Sequence, residues 1–242
     1  MPPPKGTQKI SSTDQARPLQ LLPTMALYDI AALNEMAVQL VAEAKYAEGV
    51  QLLSRGLKLL DNCLEQSFTE DTSTAATTTL PQNMLWYTRL SPLDNLDQVS
   101  PGNLFDFVPY MFSVTTPSYS VHPRKLHAIL ASVMTCNLAM IYHQTGLASG
   151  SSRHVTMALK LYRQIVGFNL ADDVASMLLL VVTSNLAQIQ AHLLNWQKAQ
   201  KWMKCALGIA AIIDEQLPSD ILDGLAFHSI SFEAVQAAAP AA

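Results

Sequence analysis

The chain has 242 residues, half of them apolar, and only 14% are charged, against roughly 25% in ordinary soluble domains. Aromatics reach 7% and the net charge is −4, so the apolar content is mostly Leu, Ala, Val and Met, the residues of packed helices. A charge so mild and evenly spread excludes a nucleic-acid or anionic-membrane footprint, and at roughly 150 residues per domain the length allows one large or two small domains.

Residues 1–24 mix proline with Ser, Thr, Gln and Lys and read as a disordered N-terminal arm, made slightly basic by Lys5, Lys9 and Arg17 against Asp14. A first helical hairpin is expected over 25–66. Met25, Tyr28, Ala32, Met36, Leu40 and Ala44 recur at helical spacing, the pattern breaks at Lys45, and Val50, Leu53, Leu57, Leu60 and Leu64 resume it. Residues 67–123 form a Thr-rich linker followed by an aromatic insert. There the alternation of Val108, Tyr110, Phe112 and Val114 predicts a strand, which Pro109 confines to an edge or splits. Helices are predicted over 124–145, 154–168, 172–193 and 196–214, making a second and a third hairpin across 124–214. Pro123 lies just before the first of these and Pro218 closes the last. In the tail, 215–242, His228, Ile230 and Phe232 alternate and are expected to pair with the insert as a small ribbon.

Two stretches, 126–152 and 174–197, contain no charged residue, and both exceed the ~20 residues of a membrane-spanning helix. His127, Asn137, His143 and Gln144 in the first, with Asn185, Gln188, Gln190 and His192 in the second, make them buried helices instead. No membrane span is expected. The cysteines Cys63, Cys136 and Cys205 form no C-x-x-C pair, and no N-x-S/T sequon or apolar leader is present. A reducing compartment is expected, cytoplasmic or alternatively nuclear.

The strongest signal is internal repetition. Asn137-Leu138-Ala139-Met140-Ile141 recurs as Asn185-Leu186-Ala187-Gln188-Ile189. An aromatic follows nine residues after Ala187 (Trp196) and nine after Ala37 (Tyr46); a small residue follows twelve after each (Ala199, Gly49). The third hairpin thus supplies Leu186, Ala187, Trp196, Ala199, Met203 and Ala206, and the first supplies Met36, Ala37, Tyr46, Gly49, Leu53 and Gly56. The second supplies Leu138, Ala139, Tyr142, Gly146, Ala158 and Tyr162, with a seven-residue insertion placed between its helices near Leu147–Arg153.

This alternation of large and small residues resembles the tetratricopeptide repeat, a helix–turn–helix unit of about 34 residues. The resemblance covers about 130 of the 242 residues, and it departs from the family in spacing: some 55 residues separate the first two hairpins and Ala139 to Ala187 is 48. A generic helical bundle is the competing reading. The resemblance implies an all-α fold of three antiparallel helical hairpins stacked as a right-handed array, with the insert as a small β-ribbon or loop that caps or spaces it. It also implies a concave groove lined by the first helix of each hairpin, presenting Asn34, Val38, Asn137, Met140, His143, Gln144, Asn185, Gln188 and His192 to a partner peptide or helix. The simpler alternative is that several of these occupy solvated or interhelical faces. Val133, Asn137, Val181 and Asn185 stand where members that clamp a carboxylate carry Lys or Arg, so such a clamp is disfavoured and backbone hydrogen bonding to the amides is favoured.

No phosphate loop, dinucleotide fingerprint, H-E-x-x-H or G-x-S-x-G occurs, so no catalytic residue, cofactor or metal is assigned. His122 and His127 fall off one helical face, while His143 and His192 hold near-equivalent repeat positions and are expected to approach each other. Asp172 and Asp173 charge a helix N-terminus. Cys136 falls on the groove face without an activator, and Cys63 and Cys205 read as small core or boundary residues. Lys198, Lys201 and Lys204, interleaved with Trp196 and Trp202, read as a solvated outer face rather than a patch for an acidic partner. The expected function is a non-enzymatic protein-interaction scaffold. Its alternatives are a helical enzyme or ligand-binding protein with a pocket lined by Tyr110 and Phe112, and a structural subunit of a larger complex.

Overall fold

The computed structural model describes residues 21–67, 85–89, 110–114, 123–167 and 173–213. The helical elements are α1 (Leu21–Ala42), α2 (Tyr46–Ser67), α3 (Pro123–Ser149), α4 (Ser152–Val166), α5 (Asp173–His192) and α6 (Trp196–Ile213). Between α2 and α3 lie two strands, β1 (Leu85–Arg89) and β2 (Tyr110–Val114). The fold is all-α, three antiparallel hairpins with a small ribbon inserted after the first.

Each hairpin turns through one residue in the left-handed conformation: Ala44 (φ 60°), Gly150 (φ 64°) and Leu194 (φ 58°). Hairpins one and three turn with the same bonds. Lys45 N–H donates to Leu40 O at 2.8 Å and Ala44 N–H to Val41 O at 3.0 Å; Asn195 N–H donates to Gln190 O and Leu194 N–H to Ala191 O, both at 2.8 Å. This is the six-to-one and five-to-two closure that satisfies the last carbonyls of a helix. Tyr46 and Trp196 then open the second helices, and Gly49 and Ala199 follow, both buried. A Cβ on Gly49 would stand 2.6 Å from Val41 Cγ2, so close approach of α1 and α2 requires the missing side chain.

The second hairpin corrects the placement of the seven-residue insertion. Seven residues run from Ala37 to Ala44 and from Ala187 to Leu194, but eleven run from Ala139 to Gly150. Beyond the turn, Gly49 and Ala199 lie five residues on, whereas the matching Ala158 lies eight on. The extra residues therefore add one helical turn to each helix, four to α3 and three to α4, because ~3.6 residues complete a turn and keep the buried face in phase. The lengthened ends are packed. A Cβ on Gly146 would lie 2.8 Å from Val155 Cγ2, and Tyr142 stacks on His154 with centroids 5.9 Å apart.

Consecutive helices pack from α1 to α6, and α3 also meets α1, α5 and β2. Helices α1, α3 and α5 thus form one layer, and α2, α4 and α6 pack against it. Helix α3 is long and apolar enough by composition to cross a membrane, yet 78% of its most apolar window is buried in the protein. That burial accounts for the absence of charge beyond Lys125, since an unpaired ion there would cost several kcal/mol, of order 20 in an idealised apolar medium. The buried face of α1 differs from expectation. Leu27, Ile30, Ala31, Asn34, Ala37, Val38 and Val41 face inward, while Met36 is 52% exposed and Ala32 and Ala44 are also exposed. Apolar residues surround α1 on most sides, so spacing alone did not select the face.

Strands β1 and β2 pair antiparallel, with Tyr87 opposite Phe112. The insert strand expected over 108–114 forms at 110–114, with a partner, 85–89, that periodicity did not single out. The partner expected at His228, Ile230 and Phe232 lies outside the described residues, as do residues 1–20 of the expected arm, Pro218 and the tail 215–242, while residues 21–24, expected to continue the disordered arm, belong to α1.

Candidate binding site

Strand β2 lies against α1 and α3, and its attachment is made by side-chain amides. Phe112 N–H donates to Asn137 Oδ1 at 2.8 Å. Phe112 O accepts from Asn137 Nδ2 at 2.8 Å and from Asn34 Nδ2 at 2.9 Å. The ring closes with Asn137 Nδ2 donating to Asn34 Oδ1 at 2.9 Å. Only one orientation of the Asn137 amide serves, because its rotation by a half-turn would face two N–H donors together. Both backbone polar groups of Phe112 therefore point away from β1 towards the helices. In an antiparallel ladder a residue so oriented forms a non-hydrogen-bonded pair with its neighbour.

The geometry follows from helix periodicity. Asn34 lies three residues before Ala37 and Asn137 two before Ala139, on the faces that α1 and α3 turn to the strand. Both asparagines are fully buried, as are Met111 and Phe112, with Ser113 and Val114 nearly so. Water is excluded from the bonds, which raises the cost of leaving either end unpaired.

The third asparagine does something different. Asn185 Nδ2 donates to Tyr162 Oη at 3.0 Å, bridging α5 and α4. Tyr162 is fully buried; its hydroxyl approaches Met140 Sδ at 4.0 Å and its ring meets His143 edge-on at 6.1 Å. Burial, and then the neighbouring Cys136, push the Tyr162 hydroxyl well above its usual range, against the opposing bond from Asn185. Burial, with the charge of His192 as a lesser cause, lowers His143 to about 3. His143 is thus neutral and buried, whereas His192 is exposed.

The nine expected groove residues thus divide. Asn34 and Asn137 gather on Phe112, and Asn185, Met140 and His143 gather around Tyr162. Val38, Gln144 and Gln188 are buried, and only His192 among the nine is exposed. The Gln144 amide has no hydrogen-bond partner among the described residues. An open surface presenting all nine is not what forms, because eight of them are buried, Asn34 and Asn137 against β2. Sequence reasoning missed Phe112 as the residue held and Tyr162 as the hub; the alternation around Phe112 and the helical amides were the available signals.

Nucleophilic and metal chemistry have little to work with among the described residues. Burial pushes the Cys136 thiol far up, away from thiolate. Cys205 is exposed rather than a boundary residue, and Cys63 is half-buried. No group of three metal-ligating side chains occurs there, and the His127 ring contacts Leu60 O at 2.9 Å, tying α3 to α2. Lys198, Lys201 and Lys204 are exposed on α6. What the asparagine pair does chemically is hold one residue of extended main chain by its N–H and C=O. No family model matches the chain, and neither a curated protein nor a solved structure matches it significantly.

Proposed function

We propose that the chain is a non-enzymatic, tetratricopeptide-like interaction scaffold of the cytoplasm whose inner helices recognise an extended protein segment by its main chain. One observation carries this reading: Asn34 and Asn137 together take both backbone polar groups of Phe112. Backbone recognition with pockets for alternate side chains is a recurrent way of binding extended peptides. The repeated turns at Ala44 and Leu194, and the inner layer of α1, α3 and α5, support the family likeness. The test is chemical crosslinking of a captured protein partner, followed by hydrogen-exchange footprinting of the complex. Altered exchange in α1, α3 and the ribbon is expected. A footprint confined to the outer face of α6 around Lys198 and Lys201 overturns the reading.

A further inference from the structure

We propose that β2 is an internal ligand of the inner face and that a partner binds by strand exchange, its own extended segment replacing Tyr110–Val114. This rests on the reading of that face as a recognition surface. The partner segment it fits is uncharged, takes β conformation, and carries a large aromatic residue where Phe112 stands, with a small residue following at Ser113.

Three features of the ribbon carry the proposal. First, at Phe112 the strand is held to the helices as a ligand is held, by side-chain amides on one backbone residue rather than by a continued backbone ladder. The amides read main chain, which every segment possesses, and the selectivity resides in the fully buried Phe112 side chain. Second, the ribbon is separable. Among the described residues no backbone–backbone hydrogen bond joins β2 to α1 or α3. Seventeen residues link Ser67 to Leu85 and eight link Val114 to Pro123. A lone two-stranded hairpin has little stability of its own, so β2 owes its order to the face it occupies. Third, the asparagine amides suit whichever main chain fills the face: they hydrate readily when exposed, and when the face is filled they satisfy the N–H and C=O of an extended residue, which an apolar lining would orphan.

Exchange is then a competition between like segments. The tether gives β2 an effective concentration of about millimolar order, so a free peptide competes poorly with the intact strand. Weakening β2 at Phe112 lifts that block without touching Asn34 or Asn137.

The probe is a fluorescent peptide of residues 108–116, Val-Pro-Tyr-Met-Phe-Ser-Val-Thr-Thr, with its Phe→Ala twin as control. Anisotropy should show the full chain carrying Phe112→Ala binding the peptide on the order of 100-fold more tightly than wild type, and the twin failing to bind. Hydrogen exchange on the wild-type chain gives an independent measurement. The Phe112 amide should exchange at least about tenfold faster than those of Met140 and Ile141, through an opening that spares α3. Exchange of Phe112 only in step with α3 overturns the proposal, whatever the fate of the variant. A folded Phe112→Ala chain that ignores the peptide overturns it equally. Either result leaves standing the coarser reading of a protein-interaction scaffold if the captured partner still footprints on α1 and α3 with the ribbon in place, on faces other than the Asn34–Asn137 pair.

Discussion

Asn137 donates its second amide hydrogen to Asn34 Oδ1 at 2.9 Å across 103 residues of sequence, so the two side chains that hold Phe112 also hold each other. Asn137 uses its oxygen once and its nitrogen twice, while Asn34 lends one donor to the strand.

That asymmetry sets an order of effects. Asn137→Ala orphans the buried Phe112 N–H and the Asn34 oxygen, and should cost about 3 kcal/mol at ~1–3 kcal/mol per abandoned buried group. Asn34→Ala leaves Phe112 O still bonded to Asn137 and should cost about 1 kcal/mol. Urea unfolding of the two variants checks the ranking; equal losses would show that the ring does not act through Phe112.

The left-handed turn residues give a prediction of opposite sign. Leu194 at φ 58° is 73% exposed, so its side chain contributes little packing there, while a non-glycine residue in that region costs roughly 1–2 kcal/mol. Leu194→Gly should raise stability by about 0.5–1 kcal/mol after the entropy that glycine loses on folding. Gly150→Ala should lower it by about 1 kcal/mol, although a Cβ there meets nothing within 4 Å. Thermal unfolding monitored by circular dichroism reads both.

Two buried glycines should respond differently to alanine. At Gly146 the added Cβ would lie 2.9 Å from the Val155 backbone nitrogen, which cannot yield without moving α4. Gly146→Ala should therefore destabilise by about 1–3 kcal/mol, and a further Val155→Ala change should not rescue it. At Gly56 the obstacle is the flexible end of Met134, and alanine gains up to ~1 kcal/mol of helix propensity. Gly56→Ala should be near neutral in the same urea titration.

His143 predicts an acid-sensitive fold. The group is neutral in the folded chain down to about pH 3, whereas an unfolded histidine takes up its proton near ~6.5. Unfolding therefore binds a proton, and the stability from this site is whole above ~6.5 and declines as pH falls towards the folded value. One proton gives a slope of up to ~1.4 kcal/mol per pH unit. Chemical denaturation between pH 7 and 4 should show His143→Gln with a slope shallower by that amount; parallel curves would exclude His143 as the source.

Much of the helical plan was readable locally. The spacing of Val50, Leu53, Leu57 and Leu60, the break at Lys45, and the correspondence of Ala37-Tyr46-Gly49 with Ala187-Trp196-Ala199 all express constraints within one hairpin. The face of α1 was not readable, because Met36 and its neighbours offer an apolar stripe on more than one side. Nor was the placement of the insertion in the second hairpin, since four and three extra helical residues look like a loop until both helices are seen to keep their phase. Alternation around Phe112 announced a strand, but nothing near it named β1 as its partner.

The sequence by itself determined the helices, their tight turns, the amides on α1, α3 and α5 and the absence of charge from 126–152 and 174–197, because these arise from residue type and short-range period. Only the tertiary structure decided what the amides hold. Asn34 and Phe112 are 78 residues apart and Phe112 and Asn137 are 25 apart, so their meeting depends on helix stacking that no local pattern encodes. Asn185 carries the same N-L-A signature as Asn137, yet it bonds Tyr162 instead of a strand. The same amide holds a strand or braces a neighbouring helix according to which neighbour the fold delivers to it.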